Sequence, residues 1–261
     1  QAAAAGCRVL VCCANPVLRF LILHTAKPFR REMLQTALTR LGDLPKDNSR
    51  LEIFLKQLYR THCEQCGRQV TAESFIWEAG KEVPSYKYIR CQDCSFEGEV
   101  QTDQQDAELV QELAAQSYHR EMMLTRTAPP GDPGRAAAAE ALNVYSPRAL
   151  TALDVLLNKM SQLRLEPDLD DALRALVLST LDRTTMLWSH PPDSRPRPRQ
   201  LSLSPRCVEY NIWNALLWSV NLWSLEDTGV GVCQWQPGEE LLPGRIHVYP
   251  GPARSLLPAL H

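Results

Sequence analysis

The apolar positions of this chain change period several times, and each change marks an element. Residues 9–13, Val-Leu-Val-Cys-Cys, form a continuous apolar run of strand length, the pattern of a strand buried on both faces of a parallel sheet. Residues 1–5 read as the tail of a helix closed by Gly6. Asn15-Pro16 ends the apolar run, and residues 17–26 resume with helical character. Helix, glycine, buried strand, polar turn and helix is the alternation of a doubly wound α/β domain. Another helix is predicted over residues 51–59, where Leu51, Leu55 and Leu58 share a face. The period then shortens to two. Residues 70–77 and 86–90 read as strands on either side of a turn at 81–85.

Helical character returns over residues 106–120. Residues 128–134 hold three prolines and two glycines and are predicted to be a loop. Ser146-Pro147 is a helix start, with serine as cap and proline at the first helical position. Helices are predicted from it over 148–163 and then over 169–188. A proline- and arginine-rich stretch fills 191–205, and a helix over 208–225 carries Trp213, Trp218 and Trp223. These three tryptophans do not fall on one stripe, which predicts a helix buried on more than one side. Residues 245–249 read as a last strand, followed by the turn Pro250-Gly251-Pro252 and the start of a helix.

Composition narrows this picture only a little. Hydrophobic residues make up 44% of the 261, enough for a sizeable core. A formal net charge of -2 argues against a protein that coats nucleic acid by bulk charge. No apolar run is long enough to span a bilayer, and no charged-then-apolar leader is present, so a soluble, cytoplasmic protein is expected. Both ends, Gln1 and His261, look cut through a fold, which suggests a piece of a longer reading frame.

The strongest chemical signal is a pair of C-x-x-C knuckles, Cys63/Cys66 and Cys91/Cys94. Each offers two thiolates from one tight turn, and together they supply a closed tetrahedral set for a structural Zn2+. Two knuckles joined by a hairpin form a zinc ribbon, whose core is too small to hold without metal. His62 is a bystander, because four thiolates already fill the shell. A redox dithiol that holds no metal is the alternative. Cys7, Cys12, Cys13, Cys207 and Cys233 follow no framework spacing and are expected to stay reduced. Arg68, Lys87 and Arg90 with Phe75, Trp77, Tyr86 and Tyr88 could make the ribbon a nucleic-acid surface, or the rings could simply cover its core. Arg195, Arg197 and Arg199, spaced by prolines, form an extended basic segment suited to DNA phosphates or to solvent. His24, His119, His190 and His247 have no partner at catalytic or metal spacing, and neither a G-x-S-x-G motif nor a phosphate loop is present.

Several of these segments resemble, in order, the adenine-specific DNA methyltransferases that carry a zinc ribbon. Residues 6–16, Gly-Cys-Arg-Val-Leu-Val-Cys-Cys-Ala-Asn-Pro, are similar to the family's second strand and its N-P turn. Residues 58–67 and 71–77 look like its inserted ribbon, and Tyr145-Ser-Pro-Arg148-Ala-Leu150 looks like its aromatic-S/T-P-R-x-L helix start. Residues 172–183 are similar to the helix that follows. Residues 246–256 look like the strand and G-x-A/S-x-x-L turn upstream of the catalytic motif. The resemblance implies an S-adenosylmethionine cofactor lined by Cys13, Asn15 and Pro16, with DNA as the partner. Two departures stand out. Cys13 occupies the position where the family carries an acid for the cofactor ribose, and Asn15 could substitute from nearby. The glycine-rich cofactor loop and the D/N-P-P catalytic motif are not among these residues, so the catalytic residues are unknown.

The expectation is an α/β, Rossmann-like methyltransferase fragment. It would divide into a partial Rossmann-like segment (1–60), a zinc ribbon (61–100), a mainly helical segment (101–225) and a return to the Rossmann-like core (226–261). The implied activity is methyl transfer to the N6 of adenine in DNA, by an intact protein of which this piece alone is inactive. The alternative is a non-catalytic zinc-ribbon protein that binds nucleic acid or another protein.

Overall fold

The computed structural model describes residues 1–191, 201–224 and 230–256. Along the chain run β1 (Val9–Cys12), α1 (Pro16–Ala26), α2 (Arg31–Gly42), the short strands β2 (Pro45–Lys46) and β3 (Ser49–Arg50), and α3 (Leu51–Gln57). Then come β4 (Arg60–His62), β5 (Gln69–Thr71), β6 (Ser74–Glu78), β7 (Tyr86–Arg90) and β8 (Glu97–Gln101). The helices α4 (Gln104–Ala115), α5 (Tyr118–Thr127), α6 (Arg135–Ala141), α7 (Pro147–Met160) and α8 (Pro167–Arg183) follow. The described chain closes with β9 (Arg206–Tyr210), α9 (Ile212–Trp223), β10 (Gly231–Gln234) and β11 (Arg245–Tyr249). The class is mixed α/β. Among the described residues no helix is long and apolar enough to cross a membrane.

The chain forms two compact units, Gln1–Gln35 with Val220–His261, and Thr36–Ser219. The first holds a parallel sheet in the order β1-β11-β10, with Val9 opposite Ile246 and Val11 opposite Val248. All four residues of β1 remain half-exposed instead of buried on both faces, because β1 is the outer strand and only one of its edges is paired. The Asn15 side chain caps α1, its Oδ1 accepting from the amides of Val17 and Leu18, and Pro16 enters the first turn. Phe20, His24 and Phe29 gather with Trp223, with the His24 and Phe29 rings stacked at 4.6 Å. Residues 1–5 form turns, not a helix, since five residues leave nothing to offset the cost of nucleation. Gly6 takes the left-handed conformation (φ 83°).

The second unit is built on an antiparallel sheet in the order β8-β7-β6-β9. The predicted helix over 208–225 begins only at Ile212, and the residues before it are strand β9, paired along the whole of β6 from Ser74–Tyr210 to Glu78–Arg206. Asn211 makes the change possible within one residue. Its Oδ1 accepts from the amides of Trp213 and Asn214 to start α9, while its Nδ2 donates to the Ala72 carbonyl. The predicted helix over 106–120 divides at Gln116 into α4 and α5. The stretch 70–77 breaks at Ala72-Glu73 into β5 and β6.

One row across this sheet is Lys87, Phe75 and Glu209, which the register places side by side on β7, β6 and β9. All three are buried, and helices answer each charge. The Lys87 ammonium donates to Asp106 (2.8 Å) and Asp103 (2.8 Å) at the start of α4, and to Thr61 Oγ1 (2.6 Å). Burial pushes the Asp103 carboxyl up, but its bonds to Lys87 and to the Asp106 amide outweigh that and hold it below the usual range. Arg148, on α7, donates to Glu209 (3.2 Å) and sits over Phe75, its guanidinium carbon 3.8 Å from the ring centroid. Trp77 Nε1 donates to the second Glu209 oxygen at 2.7 Å. Ser146 Oγ accepts from the Ala149 amide, so the capped start of α7 places Arg148 at this row.

Because Arg148 and Glu209 are fully buried, removing one strands the other. Glu209→Ala is expected to cost about 3–5 kcal/mol of unfolding free energy, and an Arg148→Met/Glu209→Leu double substitution clearly less. Denaturant unfolding of the three proteins checks this. A loss under about 1 kcal/mol for the single substitution would be inconsistent with a buried pair.

Candidate metal centre

Each knuckle closes its own hairpin, instead of one hairpin joining the two. The first sits between β4 and β5, paired from Arg60–Thr71 to His62–Gln69, and the second between β7 and β8, paired from Tyr86–Gln101 to Arg90–Glu97. The two turns repeat each other. The Cys63 amide donates to the Arg68 carbonyl and the Cys91 amide to the Phe96 carbonyl, both spanning five residues. The residue after each second cysteine is left-handed, Gly67 at φ 69° and Ser95 at φ 60°. Glycine is the expected choice there; serine adopts that region at a steric cost. Arg68 pairs with Asp93 at 2.6 Å, linking one knuckle to the other from outside.

All four sulfurs lie within 4.8 Å of one another. Cys63 and Cys94 are 3.6 Å apart, and Cys66 and Cys91 3.7 Å. A disulfide needs about 2.0 Å. A tetrahedron with Zn–S bonds of about 2.3 Å has S–S edges of about 3.8 Å, so the cluster has the size of a Zn2+ shell. Electrostatics point the same way. Burial works against ionising Cys63, but amide N–H groups of Cys66 and Gln65 lower its thiol to about 7. At Cys94 the Phe96 amide favours the thiolate, yet burial and the thiols of Cys91, Cys63 and Cys66 push it up to about 12. Four thiols this close do not all ionise unless a cation joins them. Cys63 and Cys91 are buried, Cys94 half-buried and Cys66 exposed. His62 is not part of the cluster.

The other sequence candidates fall elsewhere. Lys87, Phe75 and Trp77 are buried in the sheet's inner row and packing, so they are closed to nucleic acid. Arg68 and Arg90 face carboxylates, Asp93 and Glu97, and the Tyr88 hydroxyl also donates to Glu97. Cys13 sits just past β1, its amide bonded to the Tyr249 carbonyl and its thiol donating to the Asn15 carbonyl. Arg195, Arg197 and Arg199 lie outside the described residues. Three histidines without a sequence-spaced partner find one in space: His119 with Asp154 (2.8 Å), His190 with Glu99 (2.7 Å), and His247, whose Nε2 accepts from the Leu242 amide. Two features carry no local signal. One is a polar groove of about 430 Å³ beside the knuckles, lined by the cations Lys56, Arg60 and Arg90 and the carboxylates Glu73 and Asp93 among others, with Asn214 Nδ2 donating to Glu73. The second is Arg183, enclosed by aromatic rings.

Comparison with the models of known protein families, with curated proteins and with solved structures finds no match to this chain.

Chelation is expected to melt the β4–β8 segment while the parallel sheet of the first unit persists. Cys63→Ser and Cys91→Ser should lower metal retention and the unfolding temperature together. Hydrogen exchange resolved by segment, with zinc release followed by a colorimetric chelator, measures both. Unchanged protection in β4–β8 after chelation would show that metal does not hold these hairpins.

Proposed function

We propose that this chain is part of an S-adenosylmethionine-dependent DNA methyltransferase acting on the N6 of adenine, with a structural Zn2+ held by Cys63, Cys66, Cys91 and Cys94. The observation that carries the reading is the parallel pairing of β1 with β11. The resemblance requires a strand from each end of the 261 residues to be neighbours in one α/β sheet, with the ribbon and helices inserted between them. Parallel pairing also puts the carboxyl ends of both strands on one edge, where open α/β sheets bind their ligands. Cys13-Ala14-Asn15-Pro16 leaves β1 at that edge, and Gly251-Pro252-Ala253 leaves β11 there. The four thiolates complete the zinc shell, so this metal would activate no water.

The cofactor ribose is not well served by these residues. The Cys13 thiol is a weak acceptor, and Asn15 Oδ1 already takes two helix amides. That observation favours the second reading, a zinc-ribbon protein that binds nucleic acid or another protein without catalysis.

Reading the flanking genomic frame tests the proposal. A glycine-rich D-P-F-type loop upstream, a D/N-P-P-aromatic motif downstream and transfer of labelled methyl to adenine by the complete product are expected. Intact flanks without both motifs would overturn it. In that complete protein, Cys13→Asp should tighten S-adenosylmethionine by roughly 10- to 100-fold, the worth of a hydrogen bond to a charged acceptor. Calorimetric titration reads this, and an unchanged affinity would remove Cys13 from the cofactor site.

A further inference from the structure

Arg183, in the last turn of α8, sets its guanidinium against three rings of the second unit. Its carbon lies 3.7 Å from the Tyr210 centroid, 4.7 Å from Trp188 and 5.0 Å from Trp218. Tyr210 ends β9, Trp218 rides on α9, and the Trp188 Nε1 donates to the Asp182 carbonyl at 3.0 Å. The rings are therefore placed by regular structure and by a hydrogen bond. No carboxylate or hydrogen-bond acceptor pairs with Arg183 among the described residues. Burial draws its pKa below the ordinary guanidinium value, and only Tyr210 works against that. No Arg183 nitrogen is among the buried polar atoms that lack a partner, so its N–H edge reaches the surface.

Apolar surface adjoins this cation. Trp218 is 39% exposed and Leu217, its neighbour on α9, 47%, while Trp213, Leu216 and Val220 of the same helix are buried. A single exposed apolar side chain needs no explanation. An exposed indole in contact with an unpaired guanidinium does. Elsewhere in this unit arginines meet acids: Arg90 meets Glu97, Arg174 meets Asp170 and Arg206 meets Glu99. At Arg183 the acid is missing while the fork is already held by rings, so little side-chain freedom is lost when a carboxylate arrives. The charge pattern selects the kind of partner. A polyanion is bound by a field of cations, and the chain carries a net charge of -2. One planar cation beside two apolar side chains matches one carboxylate beside an apolar group.

We propose that Arg183, Trp218 and Leu217 form a docking surface for a segment of a partner protein that carries an Asp or Glu next to an apolar side chain. The carboxylate takes the guanidinium fork, and the apolar side chain covers Trp218 and Leu217. Tryptophan and arginine are the residue types that dominate binding energy at protein interfaces, and covering them excludes water from the ion pair. The surface is independent of the methyl-transfer reading and requires neither the cofactor nor DNA.

The test is selection of a displayed library of random peptides on the zinc-loaded chain, then fluorescence anisotropy of the most enriched peptide, synthesised with a label. Enrichment of Asp or Glu adjacent to Leu, Phe or Trp is expected. Replacing the peptide's acid by its amide should weaken binding about tenfold or more, the worth of a charged hydrogen bond. Trp218→Ala should weaken it by at least about tenfold. Leu217→Glu, at an exposed position where the fold tolerates charge, should repel the acid and abolish binding with circular dichroism and zinc content unchanged. Arg183→Lys keeps the charge and loses the fork, so it should bind more weakly and respond less to the acid-to-amide exchange. That coupling would not appear if Arg183 only supported the rings. No enrichment of acids, equal binding of the amide peptide, or parent-like binding by Leu217→Glu would each overturn the proposal. Stronger binding of a single-stranded oligonucleotide, lost in Leu217→Glu, would assign the surface to nucleic acid and overturn it too.

Discussion

A row of buried charge holds the second unit together. Lys87, Phe75 and Glu209 lie abreast on the inner face of the sheet, and the helices place Asp106 and Arg148 against the two ions. An apolar row would let the helices slide across the sheet, because burial is not directional. Here each helix has one position at which the ions are matched, since a buried ion without a partner costs several kcal/mol. Arg148 also lies 3.8 Å from the Phe75 ring centroid while it donates to Glu209, so one side chain ties both residues to α7. β7, β6 and β9 contribute one member each, so the strand order is needed for the charges to match.

The cysteine cluster sits where two hairpins end, and one of them shares β7 with this row. The second knuckle grows out of β7, the strand that carries Lys87, and the first out of β4, whose Thr61 accepts from the Lys87 ammonium. The hairpins that present the sulfurs are thus tied to the inner row by one lysine. In our proposal, zinc closes the outer end of an arrangement whose inner end is closed by ion pairs. The zinc end depends on local turns, and Ser95 in the left-handed region shows that the second turn is held against its own preference.

What the amino-acid sequence disclosed follows from how local each feature is. The four-cysteine set was legible because ligand spacing is a property of two tight turns. The caps at Asn15 and Ser146 were legible for the same reason. Residues 206–210 were not: five residues of Arg-Cys-Val-Glu-Tyr leading into an apolar helix carry too little periodicity, and their pairing partner, β6, lies far back in the chain. Nor did the chain announce Arg148 and Glu209, separated by 61 positions and charged at places where a core pattern asks for apolar residues. Lys87 misled as a surface group, and Trp77 stayed open between surface and core, because residue type does not report which face of a strand is covered. The three tryptophans predicted a helix buried on more than one side, yet Leu217, Trp218 and Leu222 are exposed, because helical phase alone does not say which side a neighbour covers. The mixed α/β class stands, and the Rossmann-like core remains part of the proposal.

The central claim is a closed, structural zinc shell made only of thiolates. X-ray absorption at the zinc edge of the purified chain tests it most directly. The account expects four sulfur neighbours at about 2.3 Å and no oxygen or nitrogen. A light-atom neighbour from solvent would make the site open, and a chain that holds its fold with oxidised, metal-free knuckles would contradict the claim outright.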